Sequence, residues 1–130
     1  GGDLELKEGD TNNIYRDILD LYRFYINNES TLSKNFPSLI RMALRLLIES
    51  ATVEQQIISD YVKVNYDLAK KLLTNDQKTT LSNNSIHGNK SLIQLLQSGA
   101  HNYSNSANFE QTIAMSIIIG AMLKTTHTHK

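Results

Sequence analysis

The stretch Ile113–Leu123 (Ile-Ala-Met-Ser-Ile-Ile-Ile-Gly-Ala-Met-Leu) leaves few architectures open to this chain. It is apolar on nearly every side of a helix, interrupted by Ser116 and Gly120. A membrane span needs roughly 20 apolar residues, so this shorter run has to be covered by the rest of the chain as a core helix. With capping residues before it at Ser104–Asn108, that helix is expected from about Phe109 to Thr125. No stretch alternates long enough to require a strand; Val62-Lys63-Val64 is too short and has helical flanks. The expectation is an all-α single-domain bundle of about five helices, with the last helix central and very apolar.

The composition agrees with one core. Of 130 residues, 40% are apolar and 20% charged, and proline occurs once, which is globular rather than disordered usage. Thirteen basic and thirteen acidic side chains cancel, so net charge leaves no footprint for nucleic acid. The absence of cysteine excludes a disulfide framework, a thiolate nucleophile and Cys-ligated zinc, and fits a reducing cytoplasm. The start Gly1-Gly2-Asp3-Leu4-Glu5 is not a signal peptide, and with no initiator methionine it reads as an excised piece. Residues 1–10 are therefore expected to be linker or tag remnant, 11–126 the helical domain, and 127–130 a frayed tail.

From the N-terminal end, Ile14, Ile18, Leu21, Tyr22, Tyr25 and Ile26 recur at spacings of three and four and predict an amphipathic helix. It should end near Asn27-Asn28, before the polar loop Glu29–Asn35. Pro37 suits the first turn of a second helix, with Phe36 packing back on it. Leu39–Ala51 is apolar almost all round, except for Arg41, Arg45 and Glu49, spaced by four. Two readings stand for these three: a surface stripe with one weak ion pair, or a polar seam in which Arg45 and Glu49 hold another segment. Thr52 and Gln55 resemble a capping box that restarts the helix. Val53, Ile57, Tyr61, Val64, Leu68 and Leu72 form its stripe, with a break near Asn65. Asp67–Leu81 then carries lysines and aspartates as a solvated face. Ser82–Asn89 is loop, and a short helix follows that Gly99 is placed to cap.

Among the histidines, His127 and His129 fall in the polar C-terminal tail and His87 in a Ser/Asn loop. His101 differs, because it lies in the turn Gln97-Ser98-Gly99-Ala100-His101-Asn102-Tyr103 between two apolar helices. A neutral imidazole there serves either as a general base or as a hydrogen-bonding lock for the turn. Ser98 and Ser104 lie near, but no nucleophile elbow surrounds them. Ser116 and Gly120, four apart on the last helix, permit close helix approach within the core or across a dimer.

Two segments, Pro37–Glu49 (with Arg45-Leu46-Leu47-Ile48-Glu49) and Leu95–Tyr103 (with His101-Asn102), are similar to a helical module of bacterial multidomain proteins. That module follows ParB-like nuclease or other effector domains in plasmid-maintenance and phage-defence proteins. The pattern also resembles the HEPN helical superfamily, some of whose members are metal-independent ribonucleases pairing an arginine with a histidine a short distance on. Gln94, Leu95, Leu96 and Gln97, which precede His101, include no arginine. Only Arg41 or Arg45, brought close by folding, can take that role. The resemblance implies a polar latch of Arg45, Glu49, His101 and Asn102 in a non-catalytic interaction module. It is expected to form a homodimer in the cytoplasm through Ser116 and Gly120, attached to an effector or DNA-handling domain, without cofactor, metal or membrane. The alternative it implies is an RNA-binding or RNA-cleaving domain using His101, Asn102 and Arg45. A DNA-reading helix-turn-helix is disfavoured, because the last helix is too apolar for a major groove.

Overall fold

The computed structural model describes residues 5–53, 55–98 and 108–128. Among these the chain is all helical, with no strand: α1 (Asp10–Asn28), α2 (Pro37–Ala51), α3 (Ile58–Lys71), α4 (Asn75–Asn83), α5 (Asn89–Ser98) and α6 (Phe109–Thr126). α1 and α2 form an antiparallel pair. Thr11 Oγ1 meets Ser50 Oγ at 3.0 Å at one end, and Phe36 stacks on Tyr25 with centroids 5.9 Å apart at the other. Phe109 extends that aromatic contact to α6, its ring 4.5 Å from Tyr25. α6 packs against α2, α3 and α4, and buries Met115, Ile118, Ile119, Met122 and Leu123 among its neighbours.

Among the described residues six helices form rather than about five, because the chain breaks in other places than the sequence suggested. Thr52 and Gln55 do not open a helix. Gln55 takes a left-handed backbone (φ 64°), and the side chain that turns back on the Val53 N–H belongs to Gln56. α3 therefore starts only at Ile58. It then runs unbroken through Asn65, whose amide donates to the Tyr61 carbonyl four residues back. The break comes at Leu72–Thr74, where a true capping box sits. Thr74 Oγ1 accepts from the Gln77 N–H at 3.1 Å, and Gln77 Oε1 accepts from the Thr74 N–H at 2.9 Å. The end of α4 closes with Ser85 in a left-handed conformation (φ 66°) and the Ile86 N–H on the Leu81 carbonyl. That arrangement satisfies the last carbonyls and drops Ile86 into the core.

The face that α3 buries also differs from expectation. Tyr61, Val62, Tyr66 and Ala69 point inward, while Ile57, Val64, Leu68 and Leu72 lie outside. Ile26 on α1 is exposed as well. Within the segment expected to be a linker, residues 6 and 7 contact the fold. Leu6 is 5% exposed, and the Lys7 N–H donates to the His127 carbonyl at 2.7 Å, so the segment before α1 is strapped along the end of α6.

Thr74→Ala removes the capping hydroxyl between α3 and α4. It is expected to lower stability by about 1 kcal/mol in thermal or denaturant unfolding, with the helical circular dichroism spectrum unchanged.

Candidate functional site

Arg41 is the most unusual side chain of the core. It is 3% exposed and lies on the buried side of α2, three and seven residues before Leu44 and Ile48. Its Nε donates to Thr112 Oγ1 at 3.2 Å, and its Nη2 donates to the same oxygen at 3.1 Å and to the Asn108 carbonyl at 3.2 Å. Thr112 Oγ1 in turn donates to the Asn108 carbonyl at 2.9 Å. Among the described residues Arg41 forms no ion pair. Burial pulls its guanidinium below the ordinary arginine value, partly offset by the Tyr22 phenol. Burial raises the Tyr22 phenol, with Ser116 and Arg41 opposing, and its hydroxyl lies 3.5 Å from the Thr112 carbonyl. This cluster ties α1 and α2 to the first turn of α6.

Arg45 and Glu49 lie elsewhere, half-exposed on the same helix. Arg45 Nε meets Glu49 Oε1 at 3.3 Å, and its Nη1 approaches the Leu96 carbonyl at 3.5 Å. Both surface-stripe and seam readings thus apply in part: the ion pair is a weak, exposed one, and Arg45 also reaches the end of α5. The other half of the expected latch, His101 and Asn102, lies outside the described residues, as does Gly99. Arg45 and Arg41 nonetheless bind the two ends of the connection 99–107, the former at the last turn of α5 and the latter at the cap of α6.

Ser116 and Gly120 open onto a cleft of about 270 Å³ between α1, α4 and α6, lined by Ile18, Tyr22, Leu47, Leu73 and Lys124 among others. Ser116 Oγ donates to the Ile113 carbonyl, and a side-chain carbon added at Gly120 would have nothing within 4 Å. Among the described residues, no helix closes on Gly120. His127, placed in a frayed tail by the sequence, is instead held. Its Nδ1 lies 2.6 Å from Thr126 Oγ1, which also meets the Tyr61 hydroxyl at 2.7 Å. Burial, and then Lys7, push its imidazole below the ordinary histidine value. His87 is exposed. Among the described residues no group of three or more His, Asp or Glu is placed to hold a metal ion.

The feature that sequence reasoning assigned to the wrong side is the outer face of α3. Ile57, Val64, Leu68 and Leu72 are 61%, 73%, 56% and 50% exposed; Val64 and Leu68 form the middle of this apolar ridge on α3, and Ile57 and Leu72 stand at its two ends as the caps of the helix. A second ridge, Leu39, Met42 and Leu46, lies outside on α2. Contiguous exposed apolar surface of this kind marks interaction sites. The class defined so far is an all-helical domain with unpartnered apolar helix faces, and no described helix is long and apolar enough to cross a membrane. No protein-family model, curated protein or solved structure matches the chain.

Arg41→Ala is expected to cost about 2–4 kcal/mol, because it empties a buried site and removes the three hydrogen bonds that its guanidinium makes to Thr112 and Asn108. In a double-mutant cycle with Thr112→Val, denaturant unfolding should give a coupling of about 1 kcal/mol or more.

Proposed function

We propose that this chain is a non-catalytic helical module that self-associates as a symmetric homodimer. In doing so it sets the stoichiometry of an attached effector or DNA-handling domain, in a bacterial intracellular protein of plasmid maintenance or phage defence. The observation that carries self-association is the ridge Ile57, Val64, Leu68 and Leu72 on α3. A chain that buries Tyr66 and Ala69 inward while leaving valine and leucine outside gains from covering them. The ridge suits a two-fold contact better than the Ser116/Gly120 pair does. A convex helix face can meet its own copy, whereas two concave clefts leave a void between them. Sedimentation equilibrium across a wide concentration range is expected to give a reversible monomer–dimer equilibrium. A monomer at every concentration overturns the reading.

A second reading, an RNA-binding or RNA-cleaving domain using His101, is favoured by one observation. Arg41 and Arg45 bind the two ends of the connection that carries His101. Both guanidiniums are, however, engaged by the protein itself, and Arg41 is sealed from solvent. A ribonuclease assay comparing the wild type with His101→Ala is expected to give the same background for both. Activity lost in the variant would replace the non-catalytic reading.

A further inference from the structure

The outer side of α3 has a pattern that reads the same from both ends. Along the apolar ridge, Ile57 balances Leu72 and Val64 balances Leu68. Beside the ridge runs one line of exposed charges, Asp60, Lys63, Asp67 and Lys71, alternating in sign. Each of the four pairs (Ile57 with Leu72, Asp60 with Lys71, Lys63 with Asp67, Val64 with Leu68) is centred within about one residue of Asn65, a small fraction of a helical turn. Among the described residues none of these four charges forms an ion pair within the chain.

A two-fold axis across two antiparallel helices brings residues equally far from the centre to the same height. It also keeps each flank on its own side. About Asn65, such an axis sets each aspartate of this line against a lysine of the other copy, and each valine of the ridge against a leucine. A parallel two-fold pairing puts the two charge lines on opposite flanks, where they do not meet and give no attraction. All four ridge residues and all four charges are exposed.

We infer that the partner of the α3 face is a second copy of this chain, bound with α3 antiparallel to its own copy about Asn65. The inference rests on the self-association reading above and specifies its surface and direction. One pair of short helices buries less than the roughly 1,200 Å² of a typical stable complex, so the dimer is weak and reversible, with micromolar affinity. The charge line contributes direction rather than strength, and the ridge contributes the affinity.

The test is sedimentation equilibrium of the whole chain at low ionic strength, with circular dichroism melting to show that each variant is folded. Val64→Glu, fully outside the core, should abolish dimerisation without lowering the melting temperature appreciably. Asp60→Lys and Lys71→Asp should each weaken the dimer by about tenfold, because each puts like charges opposite one another at two symmetric places. The double variant Asp60→Lys/Lys71→Asp should return to within about twofold of the wild type, since the opposite-sign pairs are rebuilt. A wild-type dimer unaffected by Val64→Glu overturns the α3 pairing and leaves self-association standing on another surface. A dimer broken by Val64→Glu but not rescued by the double charge exchange overturns the antiparallel arrangement. A wild-type monomer throughout overturns both.

Discussion

The guanidinium of Arg41, buried without an ion pair among the described residues and bonded to the first turn of α6, is the constraint from which the interior follows. Removing that charge from water is costly, and the cost is tolerable only if its donors are met. Thr112 and the Asn108 carbonyl meet them, and they do so only when α6 begins at Asn108 and lies at one height against α2. An apolar helix has no such preference of its own. The all-round hydrophobicity of α6 would let it slide or rotate against its neighbours with small changes in buried area. One polar junction in an otherwise greasy contact selects a single register, as isolated buried polar groups do in other helical assemblies.

Once that register holds, the rest of the packing follows. Tyr22 of α1 meets Phe109 of α6 edge-on beside the junction, and α6 packs along α3. At the far end Thr126 receives the Tyr61 hydroxyl, and the His127 carbonyl receives the N-terminal strap through Lys7. With α6 packed against α2, α3 and α4, the apolar residues Val64 and Leu68 on the outside of α3 stay exposed among the described residues, as do Leu39, Met42 and Leu46 on α2.

Much of the fold was legible from spacing. α1, α2 with Pro37 in its first turn, α5 and α6 lie close to where their apolar periods and caps put them. The stretch between Ala51 and Leu81 was misread twice for one reason. A Ser/Thr followed three residues later by Glu/Gln is a cap only where the backbone can enter a helix. Thr52–Gln55 and Thr74–Gln77 both fit the pattern, but the left-handed Gln55 blocks the first and leaves the second as the true cap. The candidate site was less legible. The i, i+4 spacing of Arg41, Arg45 and Glu49 suggested one stripe, yet the helix turns by about 100° per residue, so they fan across its surface. Arg41 shares its side with Leu44 and Ile48, a signal present in the sequence and outweighed by the expectation that arginine is solvated.

Local rules operate within a few residues, and composition and periodicity therefore settled what the chain is made of: helices around one core, with no cysteine chemistry. They did not settle which residues of the apolar stripe on α3 go inside. Tyr61 shares that stripe with Val64 and Leu68, yet it is buried with its hydroxyl against Thr126 of α6 while they stay outside. That choice depends on contacts between residues about sixty positions apart, made only when the helices assemble. Side-chain shape and hydrogen bonding across the α3–α6 contact outweighed residue-by-residue hydrophobicity, and left on the surface the ridge from which the protein's association is argued.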